Sequence, residues 1–546
     1  MAMTPPRAND PKDGGPEAVP SPEPQTEIEE YLAVSQQRRR VLPRAALVGL
    51  AAGLVAATFR LALDGGNTLR HGVLDWARQY PAFGWAIPVI FSVTTTLLAV
   101  WLVRRFAPEA SGSGIPHLEA VLHRFRDLVW TRLLPIKFVS GVLALGGGLA
   151  LGREGPTVQM GGATGDAIAR ALKSNPRERR TLIAAGAGAG LAAAFNAPLS
   201  GLTFVLEEVQ RDFHPIVFAA AFVAAVIADI VARFISGSGP VFAIPTYPLQ
   251  PLTTLPGFAI LGVAAGVFGV AFNRLLLSAV ERASRLSSRA RWVFAVVVGV
   301  AVGLIGWVAP DAIGSGHELA ETVLAGSLAL ATIPAWFLVR WALTLGSYST
   351  GAAGGIFAPL LVLGALLGLA VGQLASAIAP ELAPQPAVFA VVGMAAYFTA
   401  IVRAPLTGIV LIVEMTGNYE QMLPLLVSCF CAYGAAELMR ELPIYEALLE
   451  RDLQRDQSIP AVRDPMVVEM MVEDGAPFAG REVRSLGLPQ GCVIVRILHE
   501  GEEQVPTAQT RLLPHMRITV VVAPAARQAL AHLRLGCRAV ESSSER

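Results

Sequence analysis

A short motif that occurs twice sets the frame for everything else in this sequence. Ala197-Pro198-Leu199-Ser200-Gly201-Leu202, running on to Glu207, returns as Ala404-Pro405-Leu406-Thr407-Gly408-Ile409, running on to Glu414, 207 positions later. Two further pairs keep the same order at nearly the same offset: Gly112-Ser113-Gly114 with Gly314-Ser315-Gly316, and the glycine-rich break before Pro156 with Gly354-Gly355-Ile356-Phe357-Ala358-Pro359. One such pair means little, because small residues are common in membrane helices. Three in register imply two homologous halves of about two hundred residues each. Matching halves with glycine- or proline-interrupted helices point to a transporter whose site lies where the halves meet. A solenoid would need three or more shorter units.

Composition says where those halves reside. Of 546 residues, 53% are hydrophobic and only 16% charged, against roughly 25% charged in a soluble domain. Uncharged stretches long enough for a bilayer of about 30 Å recur, for example 82–103, 292–310 and 341–380. The chain is therefore a polytopic membrane protein. A net charge of +1 gives no argument for a nucleic-acid partner. Cys429 and Cys431 lie in an apolar span and Cys492 and Cys537 in a polar tail, with neither a disulfide framework nor metal-ligand spacing. No cleaved signal peptide is indicated. Arg38, Arg39, Arg40 and Arg44 precede the first apolar segment, 45–59, which puts the N-terminus in the cytoplasm.

In order, the chain divides into a disordered tail (1–37) and a membrane domain (38–446) with halves at about 45–235 and 254–440. A charged helical stretch and linker (447–464) lead to a small α/β domain (465–536) and a frayed end (537–546). In the small domain 467–472, 492–498 and 518–522 read as strands, Gly501 as part of a turn and 525–535 as a helix.

The chemistry concentrates in the breaks. Pro156 suits a first helical position, and the glycines before it leave backbone N–H groups uncovered at the positive end of that helix. Pro359 offers a second uncovered cluster, which the repeat brings toward the first. Ser113, between two glycines, adds a neutral hydroxyl; alone it reads more readily as helix packing between small residues. Neutral donors suit a weakly held monovalent anion that must also leave. Glu154 stands where that anion would sit, so protonation and anion occupancy compete for one place. The alternative is a solvated loop at Arg153 and Glu154. Of Glu207 and Glu208, about 100° apart on a helix, at most one faces the interior; both at an aqueous helix end is the alternative. Lys137 either raises the local potential for anions or snorkels. An intramembrane enzyme would need a nucleophile or metal pair that these motifs lack.

With Gly112-Ser113-Gly114-Ile115-Pro116, Gly152-Arg153-Glu154-Gly155-Pro156, Ala194-Phe195-Asn196-Ala197-Pro198-Leu199 and Gly354-Gly355-Ile356-Phe357-Ala358-Pro359 in place, the chain resembles the CLC family of chloride channels and proton/chloride exchangers over about 40–445. The resemblance implies an all-α fold of two inverted repeats of tilted, partly non-spanning helices, in a homodimer with one pore per subunit, in the cell (inner) membrane with both termini cytoplasmic. It implies no enzyme activity and no cofactor, only the transported chloride and protons. Ser113 and Tyr445 would supply hydroxyls to a central chloride, with the backbone N–H groups of Ile356 and Phe357. Glu154 would be the gating glutamate, with the N–H of Gly155 among those lining an outer site. Glu208 matches the inward proton-transfer glutamate of exchangers, which favours H+/Cl− antiport over the alternative, a passive voltage- or pH-gated channel. Ser113, in place of the proline of nitrate-preferring relatives, favours chloride. His117 and His123 replace acids of several relatives and imply either a pH response near neutrality or, more simply, a polar helix surface.

Beyond residue 465, Pro477-Phe478-Ala479-Gly480-Arg481, Leu486-Gly487-Leu488-Pro489 and the strands resemble the C-terminal subdomain of the RCK/TrkA type. That implies a cytoplasmic regulatory or dimer-pairing domain, with a small-molecule ligand as an option. The relatives' usual Asp near Gln509 is missing, and their Gly-Asp before the last strand reads His515-Met516.

Overall fold

The computed structural model describes residues 24–455 apart from 81, 212, 238, 243 and 246, and residues 466–499, 502–523 and 529–537. The first half runs through α1 (Pro24–Arg78), α2 (Ala86–Phe106), α3 (Ile115–Leu122), α4 (Trp130–Gly146), α5 (Glu154–Ala171), α6 (Pro176–Phe195), α7 (Pro198–Phe204) and α8 (Pro215–Ser236). The second repeats the order as α9 (Leu255–Arg285), α10 (Ser288–Val308), α11 (His317–Leu324), α12 (Ile333–Ser349), α13 (Phe357–Ile378), α14 (Pro386–Val402), α15 (Pro405–Thr416) and α16 (Met422–Leu438). Even lengths correspond: α2 and α10 have 21 residues each, α3 and α11 have 8, α4 and α12 have 17.

Seven of the described helices are long and apolar enough to cross a membrane. Others stop short because the breaks interrupt them. The uncharged stretch 341–380 is thus not one span: α12 ends at Ser349 and α13 starts at Phe357, with the second break between. Packing repeats as well, α5 on α6 and α13 on α14, α1 on α8 and α9 on α16. Small residues permit it. A Cβ on Gly161 of α5 would strike the carbonyl of Gly186 in α6, and one on Gly364 of α13 would strike that of Gly393 in α14, the close backbone approach that small residues give membrane helices.

α2 and α10 lie side by side, with Arg104 at the end of α2 over the ring of Trp292 at the start of α10, 4.9 Å from its centroid. They are antiparallel. The loop that follows α2 therefore opens on one face of the membrane and the loop that follows α10 on the other, which is what inverted repeats require.

Several expectations need correction. The expected tail 1–37 ends sooner, since α1 begins at Pro24; Glu, Leu, Ala and Gln in 24–37 favour a helix, and residues 1–23 lie outside the described residues. The first apolar segment, 45–59, continues to Arg78 as one helix with Pro43 inside it. His117 is buried rather than on a polar surface, because Gln159 of α5 meets its ring, Nε2 to Nδ1 3.2 Å. His123 is exposed as expected.

The helical stretch after the repeats is α17 (Ile444–Arg455); the linker 457–464 lies outside the described residues. The C-terminal domain is a four-stranded antiparallel sheet, ordered β1-β4-β2-β3, of β1 (Met466–Met471), β2 (Cys492–His499), β3 (Glu502–Gln504) and β4 (Arg517–Val522). One face of the sheet, with Ile494, Ile497, Ile518 and Val520, packs with Phe478 and with Leu533 of α18 (Ala529–Cys537). Three strands match expectation; of the helix expected over 525–535, residues 525–528 lie outside the described residues and α18 runs on to Cys537. The short polar β3 carries no apolar pattern and was not foreseen, and Gly501 lies outside the described residues. Cys537, placed at the start of a frayed end, instead closes α18 and is buried. Burial, with the nearby charge of Glu473, pushes its thiol up to about 11, so it is an inert apolar filler.

Candidate functional site

The two breaks pair with each other. Gly152 N donates to the carbonyl of Gly355 at 2.7 Å, and Gly355 N donates to that of Gly152 at 2.8 Å. A second strap ties in the Ser113 loop: Gly112 N donates to Ala352 O and Gly354 N to Gly112 O, both at 3.0 Å. α5, α13 and the start of α3 therefore converge on one buried junction. Gly155 shows how tightly, since a Cβ there would lie 2.8 Å from the Ser113 carbonyl.

Glu154 is the first residue of α5 and is 2% exposed. Its Oε2 accepts the N–H of Ala358, in the first turn of α13, at 3.3 Å. The carboxylate thus sits on one of the uncovered N–H groups of the opposite half, where two helix ends favour negative charge. Ile356 and Phe357 open α13 beside it and are fully buried. Phe357 is wedged among Phe195, Phe204 and Phe398, with ring centroids at 5.4, 6.3 and 4.5 Å. Ser113 is fully buried, its Oγ accepting from Ile115 N at 3.3 Å, and Tyr348 lies against Gly112. Tyr445, near the start of α17, is buried with its hydroxyl unpartnered among the described residues. α17 packs on α3, which carries Tyr445 toward the same junction. A buried hydroxyl without a partner is costly, unless a ligand supplies one.

Lys137 neither snorkels nor faces an open passage. It is fully buried, and its Nζ donates to Ala110 O at 3.0 Å and Gly112 O at 2.7 Å, fastening the Ser113 loop from behind. The second half does the same with Arg340, whose guanidinium donates to Ala312 O, Gly314 O and Ser315 O at 2.9, 2.9 and 3.0 Å. Arg340 went unnoticed in the sequence. The signal was there, a lone cation in an apolar helix at the offset that separates Gly152 from Gly355.

Glu207 and Glu208 part company, as their spacing requires. Glu208, on a π-helical turn at Val205–Val209, is 3% exposed, with Arg211 Nη2 3.7 Å away. Arg211 also reaches Glu446 at 3.3 Å. Glu119 of α3, equally buried, packs beside Glu208; sequence reasoning missed it, although an acid amid an eight-residue apolar helix was visible. Glu207 belongs to another structure. Its carboxylate accepts Leu406 N at 3.1 Å, Thr407 N at 2.7 Å and the Thr407 hydroxyl at 2.8 Å, capping α15. Glu414 reciprocates on α7, accepting Leu199 N at 3.1 Å, Ser200 N at 2.8 Å and the Ser200 hydroxyl at 2.5 Å.

Cavities approach the junction from both faces. One of about 170 Å³ reaches Glu154 and is lined also by Arg60, Asp64, Arg153, Ser315 and His317. The other, about 660 Å³, is lined by Arg104, Arg291, Ser111, Gly112 and Tyr348. Between them lie the paired helix starts.

Residues 95–437 match the family model for voltage gated chloride channels. The chain belongs to the CLC family. Among similar CLC proteins are the H(+)/Cl(-) exchange transporters ClcA of Vibrio parahaemolyticus, 40% identical over 445 residues (80% of this chain, 94% of the relative), and of Citrobacter koseri, 39% identical over 429 residues (78% and 91%). A slow cyanobacterial Cl−/H+ antiporter of the CLC fold superposes with a TM-score of 0.74 at 38% identity, over 76% of this chain and 99% of that one. A CLC-type fluoride/proton antiporter, at 20% identity and a TM-score of 0.64, shares the fold. Beyond the CLC core, residues 467–534 match the TrkA-C domain.

Proposed function

We propose that this protein is a secondary active antiporter that moves chloride across the membrane in exchange for protons. The observation that carries the reading is the seat of Glu154: a single carboxylate, from one half, on the Ala358 N–H in the first turn of α13, which belongs to the other. Ionised, it holds that seat. Protonated, it loses the attraction and yields the seat to chloride, so proton and anion occupancy alternate at one place. Ser113, Tyr445 and the N–H groups of Ile356 and Phe357 hold the central chloride, and the N–H of Gly155 serves the seat that Glu154 vacates. Glu208, buried and touching Glu119 and Arg211, takes the proton on toward the other face. The named activities of the ClcA relatives support this reading.

The same reading places the protein in the inner membrane with cytoplasmic termini, the face on which α2 ends being the cytoplasmic one. It also makes the protein a homodimer. Leu199, Leu406 and Phe430, on the neighbouring helices α7, α15 and α16, expose apolar side chains that lipid or a second copy must cover. The C-terminal domain would regulate, with a small-molecule ligand or dimer pairing as its means.

The deciding experiment is proton flux into liposomes containing the purified protein, driven only by a chloride gradient. Uphill proton movement that disappears in Glu208→Gln while chloride flux persists is expected. Chloride flux without proton movement in the natural protein would instead make it a passive channel.

A further inference from the structure

The Ser113 loop has a counterpart in the second half, the loop of Gly314, Ser315 and Gly316. Both loops follow a helix of 21 residues, pass through a short 3-10 turn (Pro108–Ala110 and Pro310–Ala312), and lead into an eight-residue helix. Both place a glycine in the left-handed region directly before that helix, Gly114 at φ 82° and Gly316 at φ 80°, which only glycine adopts readily. Both are fastened from behind by a fully buried cation, Lys137 or Arg340, on matching carbonyls. Because α2 and α10 are antiparallel, Ser315 faces the opposite side of the membrane from Ser113.

The guanidinium groups around Ser315 are not paired with acids. Ser315 lines the 170 Å³ cavity together with Arg60, Arg153 and Glu154, and its hydroxyl has no hydrogen-bond partner among the described residues. Arg70 lies against Gly314, 7% exposed, with Nε and Nη1 unpartnered. Arg340 lies behind, fully buried. None of these four guanidinium groups makes an ion pair among the described residues. The acids nearby are Asp64 and Glu154 on the cavity wall, and Glu318 and Glu321, which are exposed and face His71 and His317. When Glu154 is protonated, positive charge exceeds negative there. A buried guanidinium without a counter-charge is costly, and a small anion beside it relieves that cost.

We propose that the Gly314-Ser315-Gly316 loop holds a second chloride station at the mouth opposite Ser113, with the Ser315 hydroxyl as donor and Arg70, Arg153 and Arg340 supplying the positive potential. Chloride arriving from that side waits there until Glu154 is protonated and vacates its seat. The station rests on the chloride-transport reading and extends it to the far mouth.

Bromide-soaked crystals of the full chain, read by anomalous diffraction, test it. Bromide is expected within hydrogen-bond distance of the Ser315 hydroxyl as well as beside Ser113; in Ser315→Ala the first is lost and the second stays. Bromide beside Ser113 alone, or a Ser315-side peak unchanged in Ser315→Ala, would overturn the station and leave the transport reading intact. No bromide at either place would overturn both. In a planar bilayer, Ser315→Ala should raise the half-saturating chloride concentration on its own face about fivefold, the worth of one neutral hydrogen bond, and leave the Ser113 face unchanged. An unchanged response on both faces overturns the station.

Discussion

The two breaks at the centre of this protein share a backbone and differ in what hangs from it. α5 starts at Glu154 after Arg153 (φ −80°, ψ −18°), and α13 starts at Phe357 after Ile356 (φ −97°, ψ −6°). Two positions before each helix start, Gly152 and Gly355 bond to each other, so each helix start sees the other across an approximate twofold axis. Both offer uncovered N–H groups. Only one carries charge: where the first half has Arg153-Glu154, the second has Ile356-Phe357. Phe357 is clamped by three other rings, while Glu154 has an open cavity on one side. On the proposed reading, a symmetric frame that attracts anions from both halves is thereby given a single arm that can carry a proton, an asymmetry of side chains and not of backbone.

Removing the arm should have the largest effect. Glu154→Gln keeps size and hydrogen bonding but cannot carry a proton, so chloride-driven proton flux is expected to fall by about a hundredfold or more. Chloride flux should persist and lose its acceleration by acid, because a neutral amide mimics the protonated state at every pH. Retained proton pumping would break the comparison by showing that charge in one break alone does not set the coupling.

The buried cations come next. Lys137→Met strips two contacts from loop carbonyls and Arg340→Met strips three, each orphaned group costing about 1–3 kcal/mol. Thermal unfolding in detergent should therefore show both variants destabilised, Arg340→Met the more. The reverse order would mean that the two loops, alike in backbone, are not held alike.

A smaller effect separates the paired glycines. A Cβ on Gly152 would collide with the Glu154 carboxylate and lie 2.9 Å from Ala358 N, whereas a Cβ on Gly355 meets nothing closer than Gly155 N at 3.2 Å. Gly152→Ala should cost about 1–3 kcal/mol in the same unfolding assay and Gly355→Ala well under that. Equal costs would show that the backbone alone, not the arm above it, sets the crowding. The smallest effect is expected from ending the chain at Arg455. The C-terminal sheet contributes no residue to either break, so basal chloride flux should be unchanged, and loss of assembled protein would show instead that the domain is needed for pairing.

What could be read from the sequence were features that repeat or that stand against their surroundings. Glu154 and its glycines declared themselves because charge in an apolar run needs a reason. The halves declared themselves through an ordered repeat, and the strands of the C-terminal domain through β-branched runs. Partners across the fold were hidden. Nothing local in Lys137 says that its amine ends on Gly112 O rather than in water, and nothing in Glu207 says that it caps a helix about two hundred residues away. Glu119 was hidden for a related reason, since its value lies in touching Glu208, a contact that only the packing of α3 creates. The corrected boundary of α1 has the opposite cause: local helix-forming residues there outweigh the polar composition that reads as disorder.

The crossed caps of α7 and α15 also bear on how the protein is made. Glu414, which closes the start of α7 at Leu199, is added 215 residues after it. At translation rates of about 5–20 residues per second, that is a wait of about ten to forty seconds. Through that interval the first half stands in the bilayer with the start of α7 lacking its carboxylate, and it is finished only when the second half arrives. The newborn half-protein is thus an assembly intermediate by construction, dependent for completion on its own later-made twin.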